Sequence, residues 1–292
     1  MKFRAHETFF IRKGWLSKGL RNVIADPYVF MGANGNPMDI LGIGSNMVKS
    51  LRYWMQVVGL TIEPRTGKRK QILSPLGEII NRYDKYIEET GTLWLLHYRL
   101  VSNIDDATSW YFFFNEFKLT EFTKDDFIVY INNHIRMAGQ EVSERSLEDD
   151  YNCIVNTYVP RIKSNPEKVQ AESNIDCPLG ELRLLDLVNK KDKKYKKCIP
   201  MINSIDPLIL LAVIIDQAGE SKEVKISTIQ NEPCNAGKVF NLDIISLTNL
   251  LHKIELRGYI KVDRTAGLDI VRILTDMNFE NCVTEYYRIL GD

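Results

Sequence analysis

The chain has no excess of either charge: 38 lysines and arginines stand against 38 aspartates and glutamates. That balance argues against a generic basic coat protein for nucleic acid, although segregated charges can still bind DNA locally. Cysteine is sparse. Cys153, Cys177, Cys198, Cys234 and Cys282 are odd in number, far apart and without a CxxC pair, so neither a disulfide framework nor a zinc ribbon is supported. The longest apolar stretch, Leu208 to Ile215, is too short to span a bilayer. The first residues, MKFRAHETFFIRKGW, lack the apolar run of a signal peptide, so a cytoplasmic, soluble protein with no membrane contact is expected. No Ser-His-Asp or Cys-His spacing stands out, and Gly42-Ile-Gly44 is too short for a nucleotide loop. No nucleotide or organic cofactor is therefore expected. PD-(D/E)xK, HNH and other compact nuclease motifs are also missing.

What the chain does have is core-forming residues, 45% hydrophobic and 10% aromatic over 292 positions, enough for two or three packed domains. Its charges are segregated. Residues 1–22 carry Lys2, Arg4, Arg12, Lys13, Lys18 and Arg21 against Glu7 alone. Acidic residues gather at Asp84, Glu88 and Glu89, at Asp105 and Asp106, and from Glu141 to Asp150.

The stretch from Leu41 to Ile80 is the most informative. A glycine-rich turn and Ser45 open a helix with Met47, Val48, Leu51, Trp54, Met55 and Val58 at the spacing of one buried face. Asn46, Lys49 and Arg52 occupy the opposite face and suit phosphates or base edges. Gly59 ends the helix. Thr61–Glu63 and Gln71–Leu73 then read as two short strands across a basic turn, Arg65-Thr66-Gly67-Lys68-Arg69-Lys70. A helix, a basic hairpin and a further helix from Pro75 describe a winged helix-turn-helix, a common DNA-binding module.

The last third repeats this pattern. Asp243 caps a helix with Ile244, Leu247, Leu251 and Ile254 along one side, and strands 258–263 and 268–273 close a tight turn after it. Asn249, His252 and Lys253 would face outward there, toward DNA or toward protein. Between the two modules, Thr92–Leu100 and Ser109–Phe117 are nearly solid apolar runs and are read as core helices. Thr123 caps a helix reaching Met137, and Ser146-Leu-Glu-Asp149 is a capping-box-like start for another through Tyr158. Lys163 to Asp176 reads as a surface loop or linker. The run NKKDKKYKK at 189–197 is either a solvated turn between strands or a phosphate contact. The expected fold is mainly α with small β-wings: two winged helix-turn-helix-like modules around a helical core. Its expected domains are 1–90 (arm and DNA-binding module), 91–199 (helical core and basic linker) and 200–292 (second winged helix).

Six stretches carry a family resemblance: FRAHETFFIRKGWLSKG at 3–19, LGIGSNMVKSLRYWM at 41–55, TLWLLHYRL at 92–100, ATSWYFFFNEF at 107–117, SLEDDYNCIVNTYV at 146–159 and CPLGELRLL at 177–185. Together they cover most of the chain in order. The sequence resembles the SspB-like family, a domain of unknown function associated with bacterial DNA phosphorothioate modification and restriction. The winged-helix pattern makes double-stranded DNA the expected partner, and the resemblance adds a cysteine desulfurase, an ATP-dependent sulfur-transfer enzyme and an ATPase. It also implies a DNA nickase that opens a strand for sulfur insertion; the alternative is a non-catalytic DNA-binding adaptor or regulator. One departure is Asp149, where a basic residue is expected.

Metal-dependent nicking needs carboxylates converging on a divalent ion, Mg²⁺ or Mn²⁺, beside the attacked phosphate. The candidates are His6 and Glu7, an imidazole and a carboxylate inside a cationic arm, with Glu7 as the metal ligand. Phosphate binding alone does not call for Glu7; the simpler reading is that it neutralises Arg4 or Arg12 and that His6 packs on an aromatic ring. Glu148 and Asp150, at i and i+2 on a helix, point apart, and capping accounts for Glu148 and Asp149. The candidate DNA contacts are Arg4, Arg12, Lys13, Lys18, Asn46, Lys49, Arg52, Arg65, Lys68 and Arg69.

Overall fold

A computed structural model describes residues 1–65, 68–160, 176–265 and 268–291. The centres of both expected hairpin turns, Thr66–Gly67 and Ala266–Gly267, lie outside the described residues, as does nearly all of the loop expected from Lys163 to Asp176. The fold is mainly α with small antiparallel sheets.

After an irregular arm come α1 (Trp15–Ala25), α2 (Pro37–Leu41) and α3 (Ser45–Val57). The periodic face of α3 is buried as its spacing predicts: Val48, Leu51, Trp54 and Met55 point into the core, while Asn46 and Lys49 stay exposed. Gly59, at φ +77°, turns the chain out of the helix. Strands β1 (Thr61–Ile62) and β2 (Ile72–Leu73) pair antiparallel, with Ile62 opposite Ile72. Next, α4 (Pro75–Tyr83) is capped by Ser74, whose Oγ accepts from the Gly77 N–H at 2.9 Å. Helix α4 crosses this segment closely. A Cβ on Gly77 would stand 2.0 Å from the Leu60 carbonyl oxygen, so the position tolerates no side chain.

The two apolar runs form α5 (Thr90–Val101) and α6 (Thr108–Asn115). Ten of the twelve residues of α5 are buried, as a helix apolar all round must be. Thr123 and Asp126 make a reciprocal capping box on α7 (Lys124–Met137). Helix α8 (Glu144–Tyr158) starts one turn before the expected serine. Ser143, not Ser146, is the cap, and its Oγ accepts from the Ser146 N–H at 3.3 Å. Helical spacing places Leu147, Asp150, Tyr151 and Ile154 together on the buried face.

Strand β3 (Glu121–Phe122) joins β4 (Leu185–Asn189) and β5 (Lys194–Lys197) in a sheet of order β3-β5-β4. The lysine run is thus largely a hairpin turn and its return strand. Its last member, Lys197, turns inward and donates to the carbonyls of Phe113 (2.7 Å) and Phe117 (2.6 Å) at the end of α6. Burial, reinforced by Lys238, pulls its ammonium down to about 7. Lys197 is a helix-end cap and no phosphate contact.

The final third contains α9 (Pro207–Ala218), β6 (Glu223–Lys225), α10 (Ile226–Asn231), α11 (Ala236–Val239), α12 (Ile244–Leu256), β7 (Ile260–Thr265), β8 (Leu268–Ile273) and α13 (Phe279–Gly291). Strands β6, β8 and β7 form a sheet in that order, so the expected hairpin gains a third strand. Asp243 caps α12 as its position predicts, accepting from the Ser246 N–H at 2.7 Å. One hydrophobic core runs through residues 1–90, 91–199 and 200–292 alike. Helix α5 bonds directly to the last third: Trp94 Nε1 donates to the Ser204 carbonyl at 2.8 Å and Tyr98 Oη to Asp216 at 2.5 Å. His97 Nε2 lies 2.6 Å from the Val239 carbonyl and Nδ1 lies 2.8 Å from Tyr158 Oη. A neutral ring satisfies both, donating to the carbonyl and accepting from the phenol, and burial lowers the His97 pKa to about 4. No helix among the described residues is long and apolar enough to cross a membrane.

Candidate nucleic-acid interface

Three separate segments bring cations to one cleft of about 440 Å³. The arm supplies Lys2 and Ala5, α3 supplies Lys49, Arg52, Tyr53 and Gln56, and the β1–β2 hairpin supplies Glu63 and Arg69. Phe30, Val48 and Val57 form the apolar part of its lining, and Asp106 comes from the loop before α6. The cations reach the cleft for local reasons. Helical spacing puts Lys49 and Arg52 on the face opposite Trp54, while the returning hairpin brings in Arg69, whose φ of +63° is left-handed.

The cleft's cations are already partly engaged. Arg52 forms an ion pair with Glu63, each side chain 22% exposed. Lys2 Nζ lies 3.3 Å from Asp106 Oδ1. Lys49 donates to Asn46 Oδ1 at 3.4 Å. Tyr53 Oη donates to the Asp106 carbonyl at 3.0 Å; burial first, then Asp150, holds its phenol well above the usual value.

Of the expected contacts, Lys49, Arg52 and Arg69 share this cleft. Asn46, Arg65 and Lys68 are exposed but do not line it. The arm's cations are placed elsewhere. Arg4 Nε pairs with Asp149 at 2.7 Å, which gives that acidic departure a structural partner. Arg12 lies over the rings of Phe9 and Trp15, 5.8 and 5.3 Å from their centroids. Lys18 Nζ donates to the Leu41 carbonyl at 2.9 Å, closing the end of α2. Lys13 is exposed, with its backbone N–H on the Asp176 carbonyl. Lys2 lines the cleft without being among the expected contacts; nothing local marks it beyond the basic character of the arm.

His6 is sealed. It has no solvent exposure, its Nε2 lies 2.7 Å from Asp150 Oδ1, and its ring stacks on Trp54 and meets the edge of Trp110. In this position it touches no phosphate. Asp150, 1% exposed, also accepts from the Arg4 N–H at 2.8 Å and from Ser109 Oγ at 2.5 Å. The sequence carried a signal for this role: Asp150 follows Leu147 by three and precedes Ile154 by four, so a carboxylate sits on a core-facing stripe.

Glu7 sits half-buried at φ +50° beside this centre. A divalent ion there would need further ligands, and the carboxylates Asp149 and Asp150 are taken up by Arg4 and by His6 and Ser109. No group of three or more His, Cys, Asp or Glu among the described residues is arranged to hold a metal ion. The donor set at the arm does not fit the implied Mg²⁺ or Mn²⁺. Glu148, expected to act in capping, instead pairs with Lys124 at 2.5 Å.

Two solved structures share this fold. The chain is similar to a magnesium-ion-bound SspB crystal structure, with a TM-score of 0.82 and 24% identity, over 100% of this chain and 87% of that one. It is similar to a second SspB crystal structure with a TM-score of 0.81 and 25% identity over the same shares. No protein of curated function matches. The pattern of one family, described as "Protein of unknown function (DUF4007)", matches residues 3–287, and the chain belongs to that family.

Proposed function

We propose that this chain is the DNA-binding component of a bacterial DNA phosphorothioation system, acting as an adaptor that holds duplex DNA for the sulfur-transfer machinery. The observation that carries the DNA-binding part is the convergence of Lys2, Lys49, Arg52 and Arg69 from three segments on one cleft. Helix α3 followed by the β1–β2 hairpin and α4 reads as a winged helix-turn-helix, with α3 the groove-facing helix and the hairpin its wing. Cations on a helix and wing hold backbone phosphates, and the apolar face of α3 fixes their spacing by packing into the core. The place in phosphorothioation comes from the resemblance to SspB, and with it the expected partners: a cysteine desulfurase, an ATP-dependent sulfur-transfer enzyme and an ATPase. The adaptor reading is preferred to the nickase reading because His6 and the nearby carboxylates are committed to one another. The test is duplex binding measured against salt: neutralising several phosphates gives a steep negative slope of log K on log salt. A salt-insensitive or absent interaction would reject the assignment.

A further inference from the structure

We infer that Glu63 is a specificity-determining residue of the cleft: in the free protein its carboxylate occupies Arg52, and DNA must displace it. This rests on the DNA-binding reading above and adds to it the regulation of the same site. Arg52 lies on α3 and Glu63 just beyond β1, so the pair ties the groove-facing helix to the wing. The guanidinium is not saturated by this contact. Its Nε is buried without a hydrogen-bond partner while Glu63 is in place, so the contact leaves donor capacity unused until the carboxylate moves away. A phosphodiester presents two non-bridging oxygens to such a fork and can take both donors, which a single-point carboxylate contact does not. Asp106 stands in the same relation to Lys2, more weakly because both side chains are about half exposed. Lys49 and Arg69 enter no ion pair among the described residues and are open to a first encounter with a polyanion.

The consequence is a threshold. Any polyanion can meet Lys49 and Arg69, but only one that presents a good fork acceptor at Arg52 compensates for returning the Glu63 carboxylate to water. A sulfate ester is a poorer hydrogen-bond acceptor than a phosphodiester, so a sulfated polysaccharide makes this exchange less well. Glu63 therefore favours DNA over heparin by opposing both unequally.

The experiment uses the full chain, with a fluorescent duplex and with heparin as the two probes. Glu63→Gln preserves size and one hydrogen bond to Arg52 while removing the charge. It should bind duplex about fivefold tighter, the scale set by a partly exposed ion pair, and gain more for heparin, so that the duplex-to-heparin ratio falls. Glu63→Asp, with a shorter reach but the same charge, should fall between Gln and wild type. A folded Glu63→Gln protein whose duplex affinity is unchanged or weaker overturns the inference, and so does an unchanged ratio. In both cases wild-type binding still stands. If neither wild type nor Glu63→Gln binds duplex at low salt, the DNA-binding reading itself fails.

Discussion

His6 Nε2 and Asp150 Oδ1 lie 2.7 Å apart across 144 positions of sequence, with almost no solvent on either side chain. The contact pins the amino-terminal arm onto the buried face of α8. Because Asp150 also takes Ser109 Oγ and the Arg4 N–H, its removal strands two buried partners, His6 and Ser109, and a part-buried N–H. Asp150→Ala should cost about 3–5 kcal/mol, and Asp150→Asn less, because the amide keeps an acceptor oxygen. Denaturant unfolding of the two variants measures both.

Acid should loosen the chain through His97. Its folded pKa of about 4 lies below the unfolded value of about 6.5, so the unfolded state binds the extra proton between them. Stability is fully present above pH 6.5 and falls as pH drops toward 4, by about 3 kcal/mol at most from this residue. His97→Gln should lower stability at neutral pH yet flatten its fall across that window. A parallel pH profile in the variant would assign the acid sensitivity elsewhere.

On the DNA side, Lys49→Ala and Arg69→Ala should each weaken duplex binding and reduce the salt slope by about 0.9 for every phosphate no longer neutralised. Arg12→Ala should act differently. Its guanidinium lies over aromatic rings, so its loss lowers stability by about 0.5–1 kcal/mol while DNA affinity stays within about twofold. Fluorescence titration at three salt concentrations separates the two behaviours.

Supercoiled plasmid incubated with the chain and Mg²⁺ or Mn²⁺ reports on strand cleavage directly. Glu7→Gln should leave both the plasmid and the duplex affinity as they are with wild type, because among the described residues the nearby carboxylates Asp149 and Asp150 are already engaged by Arg4 and His6. A nicking activity present in wild type and lost in Glu7→Gln would restore the arm as a cleaving site.

Much of the fold can be read locally. Helix α3 follows from its apolar spacing, α12 from the Asp243 cap, and the strands from alternation near glycine turns, since these signals act over a few residues. The displaced start of α8 shows their limit. Ser143 and Ser146 both precede a helix-compatible run, and the stripe of Leu147, Asp150 and Ile154 is the same from either start, so spacing alone does not choose between the two caps. The cleft divides in the same way. Helical spacing alone brings out Lys49 and Arg52, whereas Lys2 enters only through the path of the arm, and Glu63 is recognisable as the partner of Arg52 only after the hairpin folds back. Basic composition made Arg4, Arg12 and Lys18 look equivalent to these residues. Packing assigns them instead to a carboxylate, two rings and a helix end.

Helix α5, enclosed on nearly every side, carries one more consequence. Its bonds to Ser204, Val239 and Asp216 join it to the last third of the chain, so its backbone amides meet solvent only when that junction opens. In deuterated buffer these amides should keep their protons longest, exchanging at the rate of global unfolding while the two-residue strands β1 and β2 exchange early. Helix α5 would then serve as an internal clock for the whole molecule: any variant or ligand that stabilises the fold should slow it in proportion, wherever it acts.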